Sequence, residues 1–366
     1  MSSSRNIPIA PAALVRPAPA AFERPCSANI IPECERSLQT PAWQQALKDA
    51  FTDLDELLVY LELSNSELNL PRKSLDNFSL RVPKGFAALI NKGDPSDPLL
   101  LQILPSRLES NPRPGFSANP VGDLEAQAAP GVLHKYQGRA LIMATGACAV
   151  HCRYCFRRHY PYAGSTATPN QWHQILQYLQ EDSSIHEAIL SGGDPLMLED
   201  EKLAVWFTQL ASIPHLQRLR LHTRLPVVLP ERITPQLIDL LNKSPLQSVV
   251  VFHINHPREL SDPVIAAIQR LKTGNITLLN QSVLLKGIND SLEVLRSLSE
   301  GLFAAGILPY YLHLLDRVDG AAHFEVSETR ARRLYRQMLD RLPGYLVPKL
   351  VREIAGEGSK SPLRIS

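Results

Sequence analysis

Short apolar runs recur through the chain from Gly138 onward, each bracketed by polar or turn-forming residues. They read GRALIMATG, EAILS, LQRLRLH, LQSVVVFH, ITLLNQ and LPYYLHLL. Runs this short and this apolar predict strands buried on both faces. Amphipathic stretches with helix-start signals lie between them. Thr168-Pro169 opens NQWHQILQYLQE, Thr234-Pro235 opens QLIDLLNKS, and Asp262-Pro263 opens VIAAIQRLK with Gly274 as its stop. Asp290 leads into SLEVLRSLSEGLFAAG and Ser327 into ETRARRLYRQMLDRL. Six strands alternating with helices, in units of roughly thirty residues, predict an α/β fold built as a partial (β/α)6 barrel of the TIM type.

The texture before Gly138 differs. Thr40-Pro41 reads as a helix cap with proline at the first helical position, and AWQQALKDAFTDLDELLVYLEL carries helical spacing behind it. RVPKGFAALINKG and DPLLLQILPS predict further short helices, so residues 39–110 are expected to form a helical region. Residues 1–38, rich in proline and alanine, predict a flexible tail. The barrel is expected to span 111–345, with 346–366 as a C-terminal segment.

Composition narrows the class without naming a chemistry. With 44% apolar and 20% charged residues among 366, the chain has the material for a large core. Thirty-eight basic against 36 acidic side chains give a net charge of +2, which argues against nucleic acid as the main partner. No apolar run approaches the ~18 residues of a membrane span. Prolines interrupt the N-terminal stretch that a signal peptide would keep apolar. Five cysteines, an odd number, without such a signal point to a reducing cytoplasm. Cys26 and Cys34 fall in the proline-rich tail and are assigned no chemistry.

The other three cysteines bring chemistry in. Cys148, Cys152 and Cys155 fall within GACAVHCRYCFRR, spaced C-x3-C-x2-C, directly after the first predicted strand. Polar residues follow the later strands too: Gly192-Gly193-Asp194-Pro195, His222-Thr223-Arg224, His253-Ile254-Asn255-His256, Asn280-Gln281-Ser282 and Asp316. Barrel active sites are built at the C-terminal ends of strands, so this is the expected catalytic face. Two metals suit the cysteines. With His159 they could close a four-ligand zinc site and make the chain a zinc-stabilised binding protein. Three thiolates could instead hold a [4Fe–4S] cluster by three irons and leave the fourth open to a small molecule. Gly192 and Gly193, straight after a buried strand, allow either a tight turn or a ligand close to the backbone.

Together the cysteine loop and the AILSGGDPL segment resemble the radical S-adenosylmethionine superfamily. PGVLHKYQGRAL, CRYCFRRH, LSGGDPL, RLPVVLPERIT, HINHP, NQSVLLKGIND and YYLHLLD, in that order, narrow the resemblance to the lysine 2,3-aminomutase family over roughly residues 70–366. That family implies a [4Fe–4S] cluster, S-adenosylmethionine and pyridoxal 5′-phosphate, used together to move an amino group from C2 to C3. The resemblance implies Cys148, Cys152 and Cys155 as cluster ligands. It places Lys360, in AGEGSKSP, as the lysine that holds pyridoxal phosphate, with Lys349 in VPKL as the rival. Arg157 and Arg139 are implied as clamps on the substrate carboxylate, a task that suits the guanidinium fork. Asp316 and Glu353 are implied as partners of a distal ammonium, Glu353 standing where the family has aspartate. Gly192, Gly193, Asp194, His253, Gln281 and Tyr136 are implied as cofactor contacts, with His253 beside the adenosine and Tyr136 on the pyridoxal ring.

An end six residues past Lys360 resembles the branch of the family that makes (R)-β-lysine for elongation factor P. That resemblance implies a synthetase-like ligase that transfers the product and a reducing electron donor such as a flavodoxin. A catabolic aminomutase acting on lysine or another amino acid is the alternative.

Overall fold

Residues 40–64, 68, 70, 80–163 and 167–364 are described by a computed structural model of the chain. The expected tail at 1–38, with Cys26 and Cys34, lies outside the described residues. Short helices come first, among them α1 (Ala42–Lys48), α2 (Leu54–Tyr60) and α3 (Lys84–Ala87). A hairpin of β1 (Gln127–Ala129) and β2 (Val132–Tyr136) then leads antiparallel into β3 (Arg139–Thr145). From β3 the sheet runs parallel through β4 (Glu187–Gly192), β5 (Arg218–Thr223), β6 (Gln247–Phe252), β7 (Ile276–Val283), β8 (Leu308–His313) and β9 (Lys349–Arg352). β10 (Ser361–Pro362) turns back antiparallel on β9. Every strand pairs with its neighbours in sequence, so the described residues form one open ladder of ten strands. The crossovers are α4 (Pro169–Glu181), α5 (Asp200–Ala211), the pair α6 (Leu225–Val228) and α7 (Pro235–Lys243), α8 (Asp262–Leu271), α9 (Leu292–Ala305) and α10 (Glu328–Arg341).

The six strands read from the sequence are β3 to β8, and the helices between them fall where the start signals stand. Thr168 and Thr234 cap α4 and α7 through their side chains, each followed by proline in the first turn, and Ser327 caps α10. Four local expectations give way. The long N-terminal helix splits into α1 and α2, because Phe51 leaves the helix to pair with Val82 and Asp53 starts a new one by accepting from the Glu56 N–H. α1 begins at Ala42 with Pro41, not Thr40, as its cap residue. DPLLLQILPS forms turns, organised by Asp97, whose carboxylate accepts from the Leu99 and Leu100 N–H groups at 2.8 and 3.2 Å. Ser291 rather than Asp290 caps α9, while Asp290 accepts from the Gly287 N–H.

The two faces of the sheet do different work, as the period of two in a strand allows. One face packs against the helices: Ala140, Ile142, Ala188, Leu190, Leu219, Leu221, Val250 and Phe252 join Trp172, Ile175, Leu203 and Trp206 in the main core. The alternate residues Arg139, Leu141, Ile189, Ser191, Arg220, His222, Gln281, Val283, Tyr311 and His313 line a cavity. The strand ladder does not close around that cavity, yet its two ends meet through side chains. Lys135 on β2 reaches Glu353, the residue after β9, at 2.9 Å.

Candidate active site

The cavity has a volume of about 320 Å³ and holds Cys148, Cys152 and Cys155 at one end. The cysteine loop is pressed against β4, and this explains the paired glycines. Gly192 has φ +112°, and a Cβ there would lie 2.7 Å from the Thr145 carbonyl oxygen. A Cβ on Gly193 would collide with the Ala147 carbonyl. The sequence left a tight turn or a close ligand open; the close approach is made by the cysteine loop's own backbone. Gly193 and Asp194 donate their N–H groups to Thr145 and Ala147, at 2.6 and 2.8 Å. The Asp194 carboxylate then fastens the next loop, accepting from Thr223 Oγ1, the Arg224 and Leu225 N–H groups, and Leu196 N–H, all within 3.0 Å. Arg153 and Arg158 of the cysteine loop are drawn to Glu109, Arg158 at 2.6 Å, which leaves Arg157 to enter the cavity.

The other end of the cavity is a chain of alternating charges. Arg157 Nε stands 2.6 Å from Asp123, whose second oxygen lies 2.5 Å from Lys135 Nζ. Lys135 also meets Glu353 and the Val121 carbonyl, at 2.9 and 2.7 Å. Glu353 Oε2 accepts from Lys360 Nζ at 2.5 Å. The β9–β10 hairpin makes that last contact, since Ser361 pairs with Arg352 and so brings Lys360 alongside Glu353. Burial opposes ionisation of Glu353, but the Lys360 and Lys135 ammoniums outweigh it and hold the carboxyl well below the usual range. Asp316, beyond β8, stands apart from this chain. Its Oδ1 is buried without a hydrogen-bond partner. Burial, together with the charge on Glu353, raises its pKa to about 7 against the pull of the two lysines.

The structure brings nearly all the sequence-predicted residues to one cavity: Lys360, Tyr136, Arg139, Arg157, Asp316, Glu353, His253, Gln281 and the Gly192–Asp194 turn. Arg139 lies 4.6 Å from the Tyr136 ring centre, a cation–π contact. Gln281 Nε2 and His253 Nε2 are 2.6 Å apart, and burial lowers the His253 pKa to about 3, which keeps the ring neutral. Lys349, the rival lysine, is an exposed β9 residue and takes no part in the cavity wall. Sequence reasoning passed over Asp123, Lys135, Ser191, Arg220 and His313. Lys135 carried one usable signal, its two-residue spacing from Leu133 along β2, since both face the cavity. Asp123 carried none.

The donor set fits a cluster better than a single ion. The cysteines are free thiols facing the cavity, and burial, with Cys152 adding to it, pushes the Cys155 thiol up to about 11. His159, the fourth ligand of the zinc alternative, is exposed and its ring nitrogen lies 3.2 Å from the Asp319 carbonyl. Among the described residues no three of His, Cys, Asp or Glu converge on one ion, as ligands about 2 Å from a zinc must. A cubane held by three separate irons needs no such convergence. Lys360 is half-buried in the same wall and paired with Glu353, and one Asp316 oxygen there is buried without a partner.

Residues 142–298 match the profile of the Radical SAM superfamily. The chain is 49% identical over 333 residues to an L-lysine 2,3-aminomutase of Haemophilus influenzae, covering 91% of this chain and 98% of that protein. It is 48% identical to the L-lysine 2,3-aminomutase of Escherichia coli, covering 89% and 96%. A third L-lysine 2,3-aminomutase, from Clostridium subterminale, is 30% identical over 88% of this chain and 77% of its own length. With identity at this level along nearly the whole of the first two relatives, the chain belongs to the lysine 2,3-aminomutase family of radical S-adenosylmethionine enzymes, isomerases that work with a [4Fe–4S] cluster, S-adenosylmethionine and pyridoxal 5′-phosphate.

Proposed function

We propose that this chain moves the amino group of L-lysine from C2 to C3 and releases (R)-β-lysine for the modification of elongation factor P. One observation carries the choice of lysine: Asp316, with one oxygen buried and partnerless, and Glu353 line the same cavity as the three cysteines and Lys360. A carboxylate with a buried, partnerless oxygen suits a cationic side chain and disfavours an acidic one. The naming of the relatives as L-lysine 2,3-aminomutases supports the same substrate. When bound, the cluster and S-adenosylmethionine supply hydrogen-atom abstraction, and pyridoxal phosphate supplies a carrier for the migrating nitrogen. Cys148, Cys152 and Cys155 hold the cluster, and Lys360 holds the pyridoxal group, with Tyr136 against its ring. Gly192, Gly193, Asp194, His253 and Gln281 frame the cofactors. Arg157 and Arg139 orient the substrate carboxylate, while Asp316 and Glu353 fix the distal ammonium. A substrate held at both ends leaves its middle carbons in one place, which is what a migration between neighbours requires.

The elongation factor P assignment rests on the resemblance of the sequence to that branch. It makes a ligase that consumes β-lysine the functional partner, a flavodoxin-like protein the electron donor, and the cytoplasm the place of work. No helix of the described residues is long and apolar enough to cross a membrane. The test is anaerobic incubation with S-adenosylmethionine, pyridoxal phosphate, reductant and lysine, followed by chiral separation. (R)-β-lysine is the expected product, and elongation factor P given the ligase should gain a β-lysyl group only when this enzyme is present. Formation of (S)-β-lysine, or turnover of glutamate in preference to lysine, would contradict the reading.

A further inference from the structure

Arg224 carries a charge that substrate binding does not use. It follows β5 directly and its side chain is only 7% exposed. Nη1 stands 2.7 Å from Cys152 Sγ and 2.7 Å from the Tyr154 hydroxyl. Nη2 donates to Gln102 Oε1 at 2.8 Å and to Glu259 Oε2 at 3.0 Å. Glu259 is wholly buried, and its other oxygen accepts from the Asn255 and His256 N–H groups at 3.0 Å and from Gln102 Nε2 at 3.2 Å. Asn255 Nδ2 closes the network on Gln102 Oε1 and on Tyr154, at 3.0 and 2.6 Å. A cation is thus fixed at one cluster ligand, with its counter-anion one guanidinium width further away. Holding such a pair out of water is costly unless its geometry is well satisfied; here three segments, at Gln102, Cys152–Tyr154 and Asn255–His256, supply the partners, and Arg224 Nε has none.

We propose that Arg224 is a positioning residue for the cluster: its charge at Cys152 favours the reduced form, and Glu259 limits how strongly that charge is felt. Reduction adds one electron, and so one negative charge, to a cluster already anionic from its thiolates. A nearby cation stabilises the more negative state more, and the weak screening of a buried site magnifies the difference. Hydrogen bonds to cluster sulfur and local net charge are the recognised levers on such potentials. Removing either partner should therefore move the potential, and in opposite directions.

The inference rests on the cluster reading of the three cysteines, and one experiment separates the two. Protein is reconstituted anaerobically with iron and sulfide, its iron per chain is counted, and the cluster is titrated with dithionite while electron paramagnetic resonance follows reduction, without S-adenosylmethionine. An iron-free wild type sinks the parent reading and this one with it. With iron bound, Arg224→Gln should lower the midpoint potential, Glu259→Gln should raise it, and Arg224→Lys, which keeps the charge, should stay nearer the wild type than Arg224→Gln does. Should Arg224→Gln not accumulate as folded protein, Glu259→Gln decides alone: a raised potential supports the proposal, and an unchanged or lowered one overturns it. Unmoved potentials with weakened S-adenosylmethionine binding would also overturn it, by making Arg224 a ligand of that cofactor instead.

Discussion

At the cysteine end of the cavity the three thiols lie within eight consecutive residues, whereas at the lysine end the charges come from Asp123, Lys135, Arg157, Asp316 and the Glu353–Lys360 hairpin. The first end is held by backbone: glycines without side chains let the cysteine loop lie against β4. The second is held by side chains, and it also fastens together the two ends of a sheet whose strands do not close. A local motif therefore builds one half of the site, and tertiary structure builds the other. The halves should fail in different ways when substituted.

The largest expected effects separate the two ends completely. Cys152→Ser should lose the bound iron and all activity, yet keep the absorbance of pyridoxal phosphate attached to Lys360. Lys360→Ala should lose that absorbance and keep four irons per chain, the full content of a [4Fe–4S] cluster. Iron assay and visible spectra of anaerobically reconstituted proteins read both outcomes. Loss of both cofactors from either variant would show the ends to be one cooperative unit.

Lys135→Met comes next. It leaves Asp123 and Glu353 each short of a buried cationic partner, and breaking a buried pair in this way costs about 3–5 kcal/mol. Urea unfolding of the cofactor-free protein should show that loss, while Cys152→Ser should unfold close to the wild type. Equal unfolding curves for Lys135→Met and wild type would remove the lysine from its place as clasp of the open sheet.

These two regions also differ in how far the sequence revealed them. The strands β3 to β8 and the caps at Thr168, Thr234 and Ser327 were legible because apolar runs and capping residues act within a few neighbours. The cysteine loop was legible for the same reason. Gly192 and Gly193 were legible as a tight turn or a close approach to a ligand, but not as contacts with the cysteine loop, because that depends on the pairing of β3 with β4. Asp123 was silent, and Lys135 was marked only by its spacing from Leu133: an isolated charge in a loop or a short strand looks like any solvated one. Lys135 finds its partners only in the folded chain, at the Val121 carbonyl, Asp123 and Glu353, the residue after β9. Glu353 and Lys360 were identified by resemblance; their ion pair required the β9–β10 hairpin, which the sequence pattern did not predict.

Two smaller effects sharpen the picture of the lysine end. Asp316→Asn should weaken lysine binding by roughly a hundredfold, the scale for truncating one partner of a buried charge pair, with iron content unchanged. A KM close to the wild-type value would show that the ammonium binds elsewhere. The pH dependence is milder. Asp316 titrates near 7, above the ~4 of an unfolded aspartate, so the folded cofactor-free chain binds the extra proton and should lose stability as pH rises between those values. Lysine needs the charged carboxylate, so its affinity should rise about tenfold from roughly pH 6 to 8, and Asp316→Asn should flatten the curve. Glu353, already ionised well below this range, should not contribute to the slope.

The most direct measurement is an anaerobic crystal structure of the enzyme with cluster, pyridoxal phosphate, S-adenosylmethionine and lysine bound together. The account predicts a single cavity in which the cluster sits on Cys148, Cys152 and Cys155, and lysine stretches from Arg157 to Asp316 and Glu353. A lysine ammonium directed away from both carboxylates, or a cluster with a fourth protein ligand, would contradict it.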